Sequence, residues 1–452
     1  MTRTVCCRER AHKDHSRRQG DRYDAAVPQD ASDAYRSPVG THDILPPDSA
    51  RWIEVVAAFA DRARRFGYEL IVTPVFEHVE VFKRLGESTD VVSKEMYEFT
   101  DRGDRRLALR PEGTAPVVRA YVQRRNPEPW KVWYLAPLFR YERPQKGRYR
   151  QHWQLGIETL GLDDPDVDVE VIAFGHGFLR ELGLSSGVTL LLNSMGDRAS
   201  RAEYVEVLRE YLLSHGEALG AEFRDRVTAN PLRVLDSKRE DWQDVIERAP
   251  QLTEHLSDAS REHFEQVQRG LDELGIHYEL APRLVRGFDY YTSTTFEFVS
   301  EALDAAQNAV LGGGRYDDLA QEMGGRPTPG IGFGMGIERL LIVADALGAL
   351  PLPETRLDAF VVDGLSRGRE ALVLVQELRE AGLRVDRAYG DRTVKAQLRA
   401  AARARAAFAV LLMPDEFSRD AVAIKDLSTE KQDEVPREQA VAWLRAHREF
   451  DR

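Results

Sequence analysis

The stretch RYERPQKGRYRQHWQLGIE, residues 140–158, determines how the rest of the chain can be arranged. Apolar residues precede and follow it, and its middle, residues 144–147, has the composition of a turn. It therefore predicts two antiparallel strands joined by a loop. Strand alternation predicts that Arg140 and Glu142 share one face of the first strand. It predicts one shared face for three residues of the second strand: Gln154, Gly156 and Glu158.

Charged side chains on the apolar side of a strand are costly unless another group pairs with them. A face that carries Arg, Glu and Gln side chains around a glycine suits a small ligand with both phosphate and amine groups. The alternative is a solvated edge hairpin with no ligand. The remaining motifs favour the ligand site.

Composition describes an ordinary globular protein rather than a membrane or secreted one. The chain has 452 residues, enough for two or three domains, and 42% of them are hydrophobic. No apolar run approaches the roughly 20 residues that span a membrane, and no signal-peptide core is present at the N-terminus. Cys6 and Cys7 lie near the N-terminus, so we expect no disulfide framework, no cysteine metal site and a cytoplasmic location.

The net charge of −12 argues against a protein that coats nucleic acid through bulk electrostatics, although a local basic groove stays possible. Residues 1–36 are rich in Arg, Asp, Gln and Ser and poor in aliphatic residues, which predicts a disordered tail. A basic RNA-binding arm is the alternative. Order begins near residue 38, and helical spacing predicts a helix over residues 49–66 and then a strand over residues 68–75.

A polar junction follows at residues 107–116, where a strand runs into a turn and then a helix. Glu112 and Thr114 lie at this junction, where side chains commonly face a pocket. The alternative is helix capping by Thr114 together with a first-turn carboxylate. The sequence leaves both interpretations open.

Glycine-rich motifs appear later in the chain. In LVRGFDYY, residues 284–291, Gly287 would allow close approach of a ligand while Arg286 points into a site. In residues 330–340, alternate glycines at 332, 334 and 336 leave one strand face bare for a flat ligand or another backbone. Arg339 follows at a helix start, which favours phosphate, although close helix–sheet packing is the alternative. The spacing matches neither a P-loop nor a Rossmann fingerprint.

Changes in composition also predict the domain organisation. Residues 37–194 and 283–350 form a core in two parts, residues 195–282 a helical insertion, and residues 356–452 a separate α/β domain. The last of these contains a basic helix that could be a solvated face or an RNA contact, with four cationic residues: Lys395, Arg399, Arg403 and Arg405.

Together these motifs resemble the histidyl-tRNA synthetases, a family of class II aminoacyl-tRNA synthetases, from about residue 37 to the C-terminus. The helix over residues 49–66 and the strand around Pro74 resemble the class II dimer motif. Residues 140–158 and 330–340 resemble the second and third class II motifs. RYERPQKGRYRQ and LVRGFDYY are the more specific matches to the histidine family.

The resemblance implies an α+β fold in which helices flank an antiparallel sheet of six or seven strands, with a C-terminal anticodon-binding domain. It also implies a two-step reaction. Histidine and Mg·ATP form histidyl-adenylate and pyrophosphate, and the histidyl group then passes to the terminal adenosine of tRNA(His). The implied partners are tRNA(His), L-histidine, ATP and a second copy of the chain. A tightly bound metal held by the protein is not expected.

The resemblance assigns roles by position. Glu112, Gly113, Thr114 and Gln154 would surround the α-amino group of histidine. Glu158 and Tyr291 would read the imidazole, with Tyr290 beside them. Arg140 and Arg286 would contact the substrates and stabilise the α-phosphate during adenylation. The ATP-binding positions are Arg140, Arg148, Tyr149, His152 and Arg339.

Fixed cations suit this reaction because a carboxylate that attacks a phosphate brings two anions together. One departure concerns His152, since the family usually has an aromatic residue there that stacks on adenine. A rival is the regulatory subunit of ATP phosphoribosyltransferase, an inactive paralogue that generally lacks the C-terminal domain and loses motif residues. Retention of Arg140, Arg286 and Arg339 argues against that rival.

Overall fold

The computed structural model describes residues 35–83, 91–124, 126–215, 219–235, 237, 239–285, 288–303, 308–352, 356–365, 369–390 and 392–447. The described residues divide into two compact units, one ending at Leu352 and the other following it. Each unit has its own sheet and its own hydrophobic core. The predicted tail lies outside the described residues except for residues 35 and 36.

The first unit contains the following helices and strands in chain order: α1 (Asp48–Arg65), β1 (Glu69–Leu70), β2 (Phe76–His78), α2 (Val79–Lys83), β3 (Glu98–Thr100), β4 (Arg106–Leu109), α3 (Thr114–Arg124), β5 (Trp130–Phe139), β6 (Gln151–Leu160), α4 (Pro165–Glu181), β7 (Thr189–Ser194), α5 (Arg198–His215), α6 (Ala221–Ala229), α7 (Leu232–Leu235), α8 (Glu240–Glu247), α9 (Asp258–Glu273), β8 (Glu279–Leu280), β9 (Thr292–Val299), β10 (Ala309–Arg315), α10 (Leu319–Glu322), β11 (Gly330–Gly336) and α11 (Ile337–Leu347).

A large antiparallel sheet organises this unit. Among the described residues its eight strands run in the order β1-β5-β6-β11-β10-β9-β7-β8. The six inner strands pair antiparallel, whereas β1 and β8 are two-residue edge strands that pair parallel to β5 and β7. The short edge strands account for the difference from the predicted six or seven. A small sheet of β2, β4 and β3 lies apart from it.

The main sheet separates different hydrophobic layers. Against one layer pack α1 and α4, whose Phe59, Phe174 and Phe178 are fully buried with Phe333 of β11. Val55, Phe59 and Ala63 of α1 recur every four residues, so they form one buried stripe. A second layer contains α3 and a group of buried tyrosines, which makes it the polar side of the core.

The hairpin predicted around residues 140–158 is present. β5 and β6 pair along their whole length, from Trp130 opposite Leu160 to Phe139 opposite Gln151. The placement of Arg140 and Glu142 on a strand face was wrong, because β5 ends at Phe139 and both residues belong to the loop. One further backbone bond crosses the hairpin, from Arg140 N–H to Arg150 O at 2.9 Å, and the two segments then diverge, because the backbone N–H of Tyr141 donates to Glu95 O at 2.6 Å.

The predicted strand over residues 68–75 was also wrong beyond Leu70. The guanidinium of Arg110 is buried and donates to the carbonyls of Thr73 (3.0 Å) and Pro74 (3.2 Å). A side chain therefore occupies backbone acceptors that a neighbouring strand would otherwise use. The predicted helix over residues 49–66 is confirmed as α1.

Helices α5 to α9 correspond to the predicted insertion, but they do not share one core. Helices α5 to α8 enclose a separate cluster that includes Tyr204, Phe223 and Trp242. Helix α9 instead packs on α4 and contributes Phe264, Val267 and other side chains to the core of the main sheet. The domain boundaries drawn from the sequence stay a prediction.

The second unit contains β12 (Ala359–Asp363), α12 (Arg369–Glu380), β13 (Val385–Arg387), α13 (Val394–Arg403), β14 (Phe408–Leu412), α14 (Pro414–Phe417), β15 (Ala421–Asp426), β16 (Gln432–Pro436) and α15 (Ala440–His447).

In its described residues the strand order is β13-β12-β14-β15-β16, with parallel pairing up to β14 and antiparallel pairing beyond it. The predicted basic helix is α13, but Arg405 lies after its end and has a φ of +51°. In the described part of both units, no helix is long and apolar enough to cross a membrane.

Candidate active site

A group of buried polar side chains lies on the polar face of the main sheet. It is assembled from β6, from the start of α3 and from the segments next to β9 and β10. These parts are distant in the sequence but adjacent in the sheet, because β6 pairs with β11 and β10 with β9. The sheet thus brings the candidate residues of several motifs into one place.

Glu158 is at the centre of this group and is completely buried. One carboxylate oxygen accepts the Thr114 hydroxyl at 2.7 Å, and the other accepts the Tyr316 hydroxyl at 2.6 Å. Burial and the nearby Glu112 together raise the pKa of Glu158 to about 8, against the opposing effect of the two hydroxyl donors. Such a group changes its protonation state near neutral pH, so a ligand that donates a hydrogen bond to it favours its charged form.

Glu112 lies at the N-terminus of α3 and is also buried. Its carboxylate accepts the backbone N–H groups of Thr114 (2.7 Å) and Ala115 (2.6 Å). The capping interpretation is therefore right for Glu112, whereas the Thr114 hydroxyl is directed to Glu158. Burial raises the pKa of Glu112 to about 7, although the two backbone N–H donors and then Arg140 oppose the shift.

The alternate glycines leave room for side chains of the neighbouring strand. A Cβ on Gly332 would overlap the carboxylate of Glu158, and one on Gly334 would overlap the amide of Gln154. Of the two expected neighbours, a flat ligand or another backbone, the second is found at Gly332, where the carbonyl of Ile157 on β6 also lies in this space. At Gly334 the nearest atoms belong to the Gln154 side chain. At Gly336 a Cβ would meet no described atom within 4 Å.

Tyr134, which was not predicted from the sequence as a site residue, completes this part of the site. Its hydroxyl donates to the side-chain oxygen of Gln154 at 2.9 Å, and its ring lies against Gly113 and Gly156. Tyr134 is directly opposite Gly156 in the hairpin. That pairing follows from the predicted hairpin, so a large residue opposite a glycine was an available signal. Tyr316, also missed, follows the glycines of β10.

Aromatic residues close the other side of the group. The rings of Tyr290 and Tyr291 are 4.6 Å apart, and the ring of Phe288 stacks on Tyr290 at 5.4 Å. Both tyrosines are buried, and burial raises the pKa of Tyr290 well above its usual value. Arg286, predicted to be catalytic, lies outside the described residues.

Cationic side chains gather beside the hairpin loop. Arg140 Nε donates to the carbonyl of Pro111 at 2.9 Å, and its guanidinium lies 5.7 Å from the ring of Phe288. Arg339 Nε donates to the carbonyl of Gly147 at 3.0 Å, so α11 is joined to the tip of the loop. Burial lowers the pKa of Arg339, as do Arg140 and Arg148.

The other predicted ATP-binding residues have protein partners. Arg148 pairs with Glu142 and lies 3.7 Å from Glu95. The ring of Tyr149 packs against the ring of His42 at 4.6 Å.

His152 has a pKa lowered to about 3, first by burial and then by Arg140 and Arg339. Its imidazole is therefore uncharged near neutral pH. Among the described residues, no group of three or more His, Cys, Asp or Glu side chains could hold a metal ion.

Comparison with known proteins gives concordant matches. A family model described as histidyl-tRNA synthetase matches residues 40–340, and one described as an anticodon-binding domain matches residues 360–447. A curated histidine–tRNA ligase of Rhodococcus erythropolis is 46% identical over 415 residues, which cover 91% of this chain and 97% of that protein. One of a Geobacillus species is 44% identical over 420 residues, covering 91% and 99%.

The same similarity extends to solved structures. The apo crystal structure of Staphylococcus aureus histidyl-tRNA synthetase superposes with a TM-score of 0.77 at 35% identity. The match covers 90% of this chain and 99% of that one.

Proposed function

The chain belongs to the histidyl-tRNA synthetase family, and from that premise we propose how its residues attach histidine to tRNA(His) at the expense of ATP. The relatives named above match nearly their whole length, and they are histidine–tRNA ligases. In the first step the carboxylate of histidine attacks the α-phosphate of ATP and pyrophosphate leaves. In the second step the histidyl group passes to the terminal adenosine of the tRNA.

The burial of Glu158, which accepts hydrogen bonds from Thr114 and Tyr316, is the observation that carries the choice of substrate, and we propose that this residue reads the imidazole. A neutral imidazole has one N–H donor and one acceptor nitrogen, so a carboxylate and a phenol can satisfy both. We assign the carboxylate to Glu158, held by Thr114 and Tyr316, and the phenol to Tyr291, with Tyr290 beside it. An amino acid that cannot pair with these buried groups is rejected because they would be left without partners.

The α-amino group binds on the other side of the same pocket. We assign its acceptors to Glu112, Gln154 and Thr114, with Gly113 leaving the space that Tyr134 occupies. The pKa of Glu112 is raised to about 7. A bound ammonium group nearby favours the charged form of this carboxyl group. The carboxylate of the bound histidine then points toward the arginine side chains beside the hairpin loop.

In the proposed complex the phosphates of ATP lie against the arginine side chains that gather beside the hairpin loop. We propose that Arg140 and Arg286 contact the α-phosphate, where they neutralise the charge that develops during attack. Arg339 binds nearer the γ-phosphate, and Arg148 and Tyr149 belong to the loop over ATP. The uncharged His152 supplies a face for adenine. Mg²⁺ arrives with ATP as part of the substrate.

We also propose a homodimer. Exposed apolar side chains of the first unit concentrate before residue 100, in the part that resembles the class II dimer motif. Val72 is 78% exposed and Phe76 is 52% exposed, and the ring of Phe76 contacts that of Phe99. Large exposed apolar groups usually mark an interface. The second unit would bind the tRNA anticodon region, and we propose a cytoplasmic location because ribosomes consume the product.

The test is exchange of labelled pyrophosphate into ATP, with histidine and each of the other amino acids in turn. Exchange with histidine alone supports the proposed site, and charging of tRNA(His) completes the reaction. No exchange by correctly folded protein would favour the regulatory paralogue of ATP phosphoribosyltransferase instead. That alternative has less support, because the chain matches both family models and the curated ligases.

A further inference from the structure

The segment that carries Tyr290 and Tyr291 is held by the helical insertion. In α5, Arg201 Nη1 donates to the backbone carbonyl of Asp289 at 2.9 Å and to that of Tyr291 at 2.8 Å. These acceptors flank Tyr290, so one guanidinium fixes the backbone on both sides of the aromatic pair. Hydrogen bonds from a charged donor are shorter and stronger than neutral ones.

Other contacts join the same parts of the chain. Arg233, on α7, lies 3.4 Å from the carboxylate of Asp289. The backbone N–H of Ser293 donates to Gly196 O at 2.9 Å, and that of Met195 donates to Ser293 O at 2.6 Å. The base of the insertion therefore contacts the segment through its backbone as well as its side chains.

The contact surface is closely packed. A cavity of about 10 Å³ lies there, lined by Met195, Arg201, Leu232, Arg233, Phe288 and Tyr291 among others. This volume is near that of a single water and far below that of a ligand site. Arg201 consequently holds protein rather than a bound small molecule.

The start of α5 is itself fixed. Asp197 accepts the backbone N–H of Ser200 at 2.8 Å, and its other oxygen accepts the hydroxyls of Ser257 (2.5 Å) and Ser260 (3.0 Å) at the start of α9. Because α9 packs in the core of the main sheet, Arg201 extends from a base that is tied to the sheet. The segment that carries Tyr290 and Tyr291 is thus held by a helix that is itself fixed to the core of the main sheet.

We propose that Arg201 is a positioning residue for histidine recognition, which sets the backbone of residues 289–291 so that Tyr291 meets the imidazole. The inference rests on the proposed role of Tyr291. Its consequence is that the helical insertion contributes to amino-acid affinity without touching the amino acid. Three of the four arginines assigned to ATP, Arg140, Arg148 and Arg339, lie outside this segment, so KM for ATP should depend less on the contact than KM for histidine.

The test compares Arg201→Ala with Arg209→Ala in full-length protein. Arg209 is on the same helix and pairs with Glu206 at the surface, so its loss is a matched control. We expect Arg201→Ala to raise KM for histidine in pyrophosphate exchange at least ~10-fold, the scale of one hydrogen bond to a charged group. KM for ATP should change less than about 3-fold, and Arg209→Ala should change neither by more than about 2-fold.

A double-mutant cycle separates positioning from general support. If Arg201 acts through the Tyr291 phenol, Arg201→Ala should matter little once that phenol is absent. Added to Tyr291→Phe, it should raise KM for histidine less than about 3-fold. Additive effects, or a parallel rise in KM for histidine and ATP, would overturn the proposal. Should Arg201→Ala not fold, Arg201→Lys carries the same comparison with the charge retained. A wild-type protein without histidine-dependent exchange would instead refute the proposed function.

Discussion

At the scale of single residues, buried carboxylates dominate the chemistry of the site. Glu158 and Glu112 are both nearly or completely buried, and each has a pKa raised toward neutrality. Their burial is tolerated because every carboxylate oxygen accepts a hydrogen bond, from Thr114 and Tyr316 or from the start of α3. Burying these carboxyl groups lowers the stability of the fold, and the same buried polar groups allow the site to select its substrate.

This cost predicts a pH-dependent difference in stability. The carboxyl group of Glu158 has a folded pKa of about 8, above its value of 4.5 in model compounds. Between these values the folded state holds a proton that the unfolded state has lost, so stability falls as the pH rises. Glu158→Gln removes this dependence. We expect the difference in free energy of unfolding, Glu158→Gln minus wild type, to increase by roughly 2 kcal/mol between about pH 6 and pH 8.

Denaturant unfolding at several pH values measures this gain. The control is Glu206→Gln, which alters a surface carboxylate that is 70% exposed. A difference between Glu158→Gln and the wild type that stays constant with pH would contradict the raised pKa.

Ser293 provides a second prediction at this scale. It has a φ of +42°, a left-handed backbone that costs an L-residue roughly 1–2 kcal/mol. Glycine avoids that cost but loses more entropy on folding, so Ser293→Gly should raise the free energy of unfolding by roughly 0.5–1 kcal/mol. Ser293→Ala keeps the Cβ and should give no gain. Equal stability of the two variants in thermal unfolding would argue against strain at this position.

At the scale of elements, the pairing of β6 with β11 determines the shape of the pocket. Gly332 is directly opposite Glu158, and Gly334 opposite Gly156. The glycines of β11 therefore matter for the side chains of β6 rather than for their own conformation. Sequence alternation predicted that a face would be bare, but it could not predict what would fill it.

A strand glycine can be tested against another in the same strand. Gly332→Ala should displace the carboxylate of Glu158, because the new methyl would also overlap the carbonyl of Ile157 and cannot be accommodated by a side-chain rotation alone. We expect KM for histidine to rise at least ~10-fold and Tm to fall, consistent with overpacking costs of roughly 1–3 kcal/mol. Gly336→Ala, which meets no described atom within 4 Å, is the control. Similar KM values for both variants would show that Glu158 is not confined in this way.

At the scale of the whole molecule, the first unit carries the candidate active site and the exposed apolar face. Edge strand β1 has just two residues in the sheet, and Val72 follows it with its side chain largely in solvent. Largely exposed apolar residues beside an edge strand suit covering by a second chain.

The proposed homodimer predicts that Val72→Asp shifts the protein from dimer to monomer, because a charge would be buried in an apolar contact. Sedimentation velocity would measure the shift. The matched control is Leu274→Asp, which alters another exposed aliphatic residue, located after α9. A wild-type monomer, or a dimer that both variants retain, would exclude this face as the interface.

The sequence by itself determined several of the main elements. The hairpin, helix α1, the strand-to-helix junction at Glu112 and the α/β unit at the C-terminus all follow from local periodicity and turn composition, which depend on neighbours along the chain. The proposed roles of Glu158 and the arginines come from the resemblance, which rests on whole motifs such as LVRGFDYY.

Tertiary structure alone decided which side chains meet. Arg110 removes residues 73 and 74 from the sheet, Tyr134 and Tyr316 enter the pocket, and Arg201 supports residues 289–291 from an insertion about 90 residues earlier in the chain. The contacts of Arg110, Tyr316 and Arg201 join residues that are far apart in sequence, so no local pattern encodes them, whereas Tyr134 meets Gln154 across the predicted hairpin. The physical reason is that burial and hydrogen-bond pairing in the pocket are set by strand order, which emerges only when the whole sheet has formed.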